Sequence, residues 1–311
     1  MGDKSKIEWT DASWNPIRGC SRVSEGCRNC YAERVAARFS GEGQPYEGLA
    51  EMTPSGPRWT GEVRLIEEHL EDPLRWKKPR RIFVNSMSDL FHEKLSITHQ
   101  TDVFEVMAKC PQHTFQVLTK RADLMMSRMG QIGVGIAYRL GKQSEPGFWP
   151  LRNVWLGVSV ENQKTADERI PFLLRTRAAV RFISAEPLLG PIDLKSFLIG
   201  NFARKMIERF PDAAPLPQHL QPRYAPLDWI IVGGESGPGA RECNLRWIES
   251  IVSQGSAAQV PVFVKQLGSR PYYEFAEPEG KQTLALRDPK GGDINEWPAH
   301  LQVRQFPEVK Q

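Results

Sequence analysis

Short apolar runs rich in Val, Ile and Phe recur along the chain at intervals long enough to hold a helix, and each ends in polar residues or glycine. That rhythm predicts alternating strands and helices. The runs are Trp14 to Gly19, Arg81 to Asn85, Thr114 to Leu118, Val154 to Val158, Val180 to Ile183, Trp229 to Val232 and Val260 to Val264. Their near-continuous apolar character suits a parallel sheet covered on both faces. Between them, mixed periodicity predicts helices over Tyr31 to Phe39, His99 to Lys109, Ala122 to Met129, Gln163 to Leu174 and Leu245 to Gln254, with Thr98 or Ser96 capping the second and Asn162 the fourth. Seven strands in one βα series fit a partial or irregular (β/α) barrel better than an open dinucleotide-type sheet.

Two segments break the rhythm, at about 41–79 and 196–228, the second carrying Pro211, Pro215, Pro217, Pro222 and Pro226. Loops of that length are lids, insertions or partner-binding elements. After Gly268 the chain turns polar and rich in Pro and Gly, with Tyr272, Tyr273, Trp297 and Phe306 scattered through it. The expected organisation is a barrel domain over 1–268 and a C-terminal extension, 269–311, packed on it. Composition changes this picture little: 311 residues, 40% hydrophobic and 25% charged, describe a globular chain. No apolar run approaches bilayer length and the N-terminus lacks an apolar signal core, so the expectation is a cytoplasmic protein without a membrane partner. The net charge of +4 permits a nucleic-acid partner. Basic residues are densest in the segment RWKKPRR, Arg75 to Arg81, which fits an anion-binding patch or a solvated loop equally well.

In parallel α/β folds the chemistry gathers after the carboxyl ends of strands. Those positions hold the cysteine loop, then Ser86-Met87-Ser88-Asp89, Thr119-Lys120-Arg121, Ser159-Val160-Glu161-Asn162, Ser184-Ala185-Glu186-Pro187, Gly233-Gly234-Glu235-Ser236 and Lys265-Gln266. Capping is the plain role for Ser159, Asn162 and Asp89. GGESGPGAR, Gly233 to Arg241, could bring backbone N–H groups to an anion or simply make a tight turn. Lys120, Arg121 and Lys265 could bind an anionic substrate or pair with Glu161, Glu186 and Glu235.

Three of the five cysteines fall in GCSRVSEGCRNCY, as Cys20, Cys27 and Cys30. A closed zinc site needs four ligands, and the fourth would come from Cys110, Cys243 or a histidine such as His92. Three thiolates without a fourth also describe a [4Fe–4S] cluster with one open iron. A Cys27/Cys30 redox pair would leave Cys20 unexplained.

The run Trp14-Asn15-Pro16, Gly19-Cys20, Cys27, Cys30-Tyr31-Ala32-Glu33 resembles the phage-type three-Cys-motif proteins, a family of unassigned function. The likeness continues through NSMSDLFH (Asn85 to His92), LTKR (Leu118 to Arg121), LGVSVEN (Leu156 to Asn162), ISAEPLLGPI (Ile183 to Ile192), GGESGPGAR and FVKQLG (Phe263 to Gly268). That family is similar in layout to radical S-adenosylmethionine (SAM) enzymes. The resemblance implies a partial barrel of radical SAM type, cluster ligands at Cys20, Cys27 and Cys30, and SAM contacts at Ser86, Ser88, Ser159, Ile183, Glu186, Gly233 and Gly234. It also implies cleavage of SAM to methionine and a 5′-deoxyadenosyl radical, an external electron donor and a heteromeric partner protein. The superfamily spacing is C-x3-C-x2-C, whereas six residues separate Cys20 from Cys27 here. Asn29 replaces the aromatic residue before the third cysteine, and no acidic Gly-Gly motif follows the second strand.

The leading expectation is a radical SAM-like [4Fe–4S] enzyme acting on a nucleic acid or nucleotide, in repair or modification. Substrate would approach Lys120, Arg121, Glu186, Glu235, Arg241 and Lys265. The alternative is a zinc- or Fe–S-stabilised nucleic-acid-binding protein without SAM chemistry.

Overall fold

The structure is a computed structural model that describes residue 5 and residues 7–201, 225–278 and 280–308. Most of the second insertion, with Pro211, Pro215, Pro217 and Pro222, lies outside the described residues. The chain divides into two compact units. The first is Met1–Val158 with Thr176–Ala179, and the second is Ser159–Arg175 with Val180–Gln311.

Seven main strands are present: β1 (Ala12–Trp14), β2 (Arg81–Val84), β3 (Thr114–Thr119), β4 (Val154–Ser159), β5 (Val180–Ala185), β6 (Trp229–Gly233) and β7 (Val262–Gln266). Their sheet order is their chain order. In the first unit β1 pairs β2, β2 pairs β3 and β3 pairs β4, all parallel. In the second, β5 pairs β6 and β6 pairs β7, again parallel. An order that never reverses offers no switch point of the dinucleotide-binding kind. The fold is mixed α/β with a seven-strand parallel sheet.

The strands form where the apolar runs predict them because both faces are covered. All six residues of β4 and all five of β6 are buried, and each fully buried Val, Ile or Leu contributes about 1.5–3 kcal/mol. Among the described residues the longer helices are α1 (Tyr31–Arg38), α2 (Ile97–Lys109), α3 (Ala122–Arg139), α4 (Gln163–Arg175) and α5 (Leu245–Ala257). Ser96 caps α2 by accepting from His99 N–H at 3.1 Å, and Asn162 Oδ1 accepts from Thr165 N–H at 3.1 Å at the start of α4. Among the described residues no helix is long and apolar enough to cross a membrane.

Several boundaries differ from the expectation, three of them at places that matter for the fold. Helix α3 runs ten residues beyond Met129, because two of its glycines serve packing: a Cβ on Gly133 would lie 2.7 Å from the Trp149 ring and one on Gly135 3.2 Å from the Thr101 side chain. The last strand begins at Val262 and not at Val260. The first strand ends at Trp14, where it was expected to start. Pro16 has no N–H to give a ladder, and the Asn15 side chain ties the departing chain to the end of β2, accepting from Met87 N–H at 3.0 Å and from Ser86 Oγ at 3.2 Å.

The segment at 41–79 lies outside the main sheet. Its hairpin, Ala50–Thr53 with Gly56–Trp59, packs on α1 through a small core of Ala36, Tyr46, Leu49 and Ala50. Its following strand, Arg64–Leu65, pairs antiparallel with Ile17–Arg18. Residues after 268 belong to the second unit. There Pro271–Glu274 lies between Cys243–Asn244 and Lys281–Thr283, and the stretch at Arg304 bridges antiparallel to Phe263 on β7. A covered edge strand is protected from pairing with another chain.

Candidate functional site

The cysteine loop is delivered in two steps. After the break at Pro16, Ile17–Arg18 joins the 64–65 strand, and Gly19 then makes a parallel bridge to Ser88, just past the end of β2. Gly19 has φ +90, and a Cβ there would lie 2.0 Å from the Glu62 carbonyl oxygen. Cys20 therefore sits beside the carboxyl end of β2, although it does not follow β1 directly. The loop turns through Glu25–Cys27 and enters α1 at Tyr31, with Cys30 as the N-terminal flanking residue.

The two residues after Cys20 are tied down. Arg121 Nη2 donates to Ser21 Oγ at 2.6 Å, and Ser21 Oγ donates to Glu93 Oε1 at 3.2 Å. His92 Nδ1 accepts from Lys94 N–H at 3.3 Å. In the neutral ring the proton is thus on Nε2, which donates to Ser21 Oγ at 3.0 Å. Burial and Arg121 both lower the His92 pKa, which favours that neutral form. Arg22, next along, forms a forked ion pair with Glu33 of α1.

Asp89 is the hub behind this arrangement. Its Oδ1 accepts from Phe91 N–H at 3.0 Å and Thr119 Oγ1 at 2.7 Å, and its Oδ2 accepts from Lys120 N–H and Arg121 Nη1, both at 3.1 Å. The carboxylate joins the ends of β2 and β3 and caps no helix. Burial alone would discourage charge on Arg121, but Asp89 and Glu93 outweigh it and hold the guanidinium protonated. Burial likewise works against ionisation of Glu93, yet its hydrogen bond from Arg121 Nε at 2.6 Å prevails and holds the carboxyl at about 2. A depressed folded-state value stabilises above the ordinary carboxyl pKa near 4.5 and loses that contribution as pH falls toward 2. The urea midpoint of wild type minus that of Glu93→Gln should therefore shrink steadily between those two pH values. A difference that stays constant across the window would show that the pair does not couple to folding.

The thiols sense one another. Burial, followed by Asp89, pushes Cys20 up to about 12, with Cys30 and Cys27 adding to the rise and Arg121 opposing it. Burial also raises Cys30, against the N–H groups of Glu33 and Ala32 at the start of α1 and the charge of Lys120. Those N–H groups favour a thiolate without closing a capping hydrogen bond. Among the described residues no group of three or more His, Cys, Asp or Glu side chains converges as the ligands of one metal ion do. The other thiols are sealed away: burial raises Cys110 to about 11 and Cys243 to about 12, and both are at most 1% exposed. Both ring nitrogens of His92 are engaged in hydrogen bonds.

Ser86 and Ser88 brace the loop. Ser88 Oγ donates to the Ile17 carbonyl at 2.9 Å, Ser86 Oγ donates to Asn15, and the Ser86 carbonyl accepts from Tyr31 OH at 2.7 Å.

The remaining expected residues belong to the second unit and are paired there. Lys265 Nζ donates to Glu186 Oε1 at 2.6 Å, and Arg241 donates to Glu235 at 2.6 and 2.9 Å. Glu161 is paired with Arg169, whose Nη1 also donates to the Ser159 carbonyl at 2.8 Å. Ile183 is fully buried. Gly233 and Gly234 permit close packing: a Cβ on Gly234 would lie 2.3 Å from the Leu267 carbonyl oxygen, and one on Gly233 3.0 Å from that of Gln266.

The basic segment 75–81 leads into the amino end of β2, whereas the thiol loop adjoins the carboxyl end. Arg75 pairs with Asp72, Arg80 stacks over Trp76 at 5.0 Å and Arg81 pairs with Asp11. Its charge therefore does not line the site.

Sequence reasoning missed Ser21, Arg22, Glu33 and Glu93, and gave Asp89, among the strand-end residues, capping as its plain role. Glu33 carries a signal in hindsight. It shares the buried stripe of α1 with Ala32 and Ala36, and a carboxylate among small core residues calls for a buried cation.

A parallel α/β fold with three thiols in one braced loop beside its second strand defines the class of protein. Within it, the chain belongs to the family described as protein of unknown function (DUF5131), which matches residues 4–295. No curated protein and no solved structure matches the chain.

Proposed function

We propose that the protein is an iron–sulfur enzyme of radical SAM type in which Cys20, Cys27 and Cys30 hold a [4Fe–4S] cluster on a partial (β/α) barrel. The observation that carries this is the grouping of three half-buried thiols in one loop that leads into α1, while Cys110 and Cys243 are sealed in the core. A cluster offers each thiolate its own iron, so its ligands need not converge on one point as those of a single ion must. When bound and reduced, such a cluster supplies the electron that cleaves SAM.

The chain's own part begins with half-burying Cys20 and Cys30 beside two cationic residues. Arg121 beside Cys20 and Lys120 beside Cys30 offset the negative charge of bound thiolates. Ser86 and Ser88 give their hydroxyl protons to Asn15 and Ile17, so their oxygens can accept from an ammonium such as the methionyl amino group. Lys265 and Arg241 are neutralised by Glu186 and Glu235 and are not assigned to the substrate. With the basic segment at the other end of β2, charge no longer argues for a nucleic acid at this site, and the proposal is confined to the cofactor chemistry.

Anaerobic purification tests it. The protein should be brown, carry about four irons per chain and yield 5′-deoxyadenosine with SAM and dithionite. Alanine at Cys20, Cys27 or Cys30 should abolish the colour, and alanine at Cys110 or Cys243 should not. A colourless protein with one zinc would overturn the proposal in favour of a zinc-stabilised binding protein. A brown protein inert toward SAM would leave an iron–sulfur binding protein without SAM chemistry.

A further inference from the structure

Six residues separate Cys20 from Cys27, and the first two carry anchors that a shorter spacer would lack. Ser21 is held by Arg121, His92 and Glu93. Arg22 reaches Glu33 with Nε 3.1 and 3.0 Å from the two carboxylate oxygens. Glu33 is 1% exposed, and its Oε1 also accepts from Trp59 N–H of the flanking hairpin at 2.9 Å. It lies three residues beyond Cys30, so the Arg22–Glu33 pair closes a ring of chain that contains Cys27 and Cys30, with Cys20 two residues outside it. Val23, by contrast, is 44% exposed. Backbone bonds run within the loop from Cys27, Arg28 and Cys30 N–H to the Ser24, Glu25 and Cys27 carbonyls at 3.0, 3.1 and 3.3 Å.

We infer that Glu33 and Arg121 are positioning residues for the thiol site. They hold Arg22 and Ser21, and thereby present Cys20 to Cys27 and Cys30 before any metal arrives. The metal they prepare for rests on the function proposed above, but the holding is a property of the metal-free chain. A buried carboxylate with a forked guanidinium partner has one favourable geometry, which a flexible spacer of this length would otherwise lack.

Hydrogen exchange of the full-length, metal-free protein tests this, with amides 27–30 as the readout and α5 as an internal reference for folding. Arg22→Ala and Glu33→Gln should each speed exchange in the loop by about tenfold or more while α5 is unchanged. Ser21→Ala, a gentler change that leaves Asp89 and Arg121 paired, should do so to a lesser extent, Arg22→Lys should restore part of the protection, and Val23→Ala should do nothing. Loop exchange in the wild type as fast as in unfolded peptide, or equal rates in wild type, Arg22→Ala and Ser21→Ala, would overturn the inference. Iron uptake under anaerobic reconstitution is read on the same samples. Protection lost in the variants, with no iron bound by the wild type, would sink the proposed function and leave the inference standing.

Discussion

Gly19→Ala is expected to cost about 3 kcal/mol or more and to loosen the thiol loop. Two effects add at that residue. Its φ of +90 lies where an L side chain is strained, and the new methyl would sit 2.0 Å from the Glu62 carbonyl oxygen, so backbone must move. Gly43 separates the two: its φ is +69 but nothing lies within 4 Å of its Cβ position, so Gly43→Ala should cost only about 1 kcal/mol. Urea unfolding gives both figures, and labelling with a thiol reagent should report faster reaction at Cys20 and Cys27 in Gly19→Ala alone. Equal midpoints for the two variants would mean that Glu62 yields without cost and that the loop is not pinned there.

Asp89→Asn should be as damaging, at about 3–5 kcal/mol. The carboxylate accepts four hydrogen bonds, two on each oxygen. An amide can accept on one side only, so its NH2 would face either Phe91 N–H and Thr119 Oγ1 or Lys120 N–H and Arg121. Arg121, 5% exposed, would then have lost its buried counter-charge and kept only the half-exposed Glu93. Pairing Asp89→Asn with Arg121→Met should recover part of the loss, since the stranded charge is gone. Additive costs in that double-mutant cycle would show that the two residues act independently.

The strands were legible because burial on both faces leaves a continuous apolar signature, as in WIIVG of β6. Helix starts were legible because Ser96 and Asn162 act locally. The limits of local signals account for the rest. Gly130, Gly133 and Gly135 look like a helix stop, and only contacts distant in sequence, Trp149 over Gly133 and Thr101 against Gly135, show what α3 gains by running through them. Ile17 and Arg18 read as part of the first strand, but their partners, Arg64 and Leu65, lie in a segment with no βα pattern. The site was legible to the extent that chemistry is concentrated in one motif. The cysteines stand out as residue types, whereas the braces come from Glu33, Asp89 and Arg121, which are ordinary charged residues until the chain brings them together. The weight given to Gly233 and Gly234 as ligand-facing residues meets a similar limit, because missing side chains serve the passage of Leu267 as readily as that of a ligand.

Strand β2 is only four residues long, yet it divides two kinds of surface. Arg75 to Arg81 gather before it, and the bracing serines and Asp89 follow it. Lys77 and Lys78 are exposed and no brace of the thiol loop involves them, so they can be exchanged for acidic residues to improve solubility or suppress carried-over polyanions during purification. Protein prepared that way would keep its thiol chemistry intact for spectroscopy.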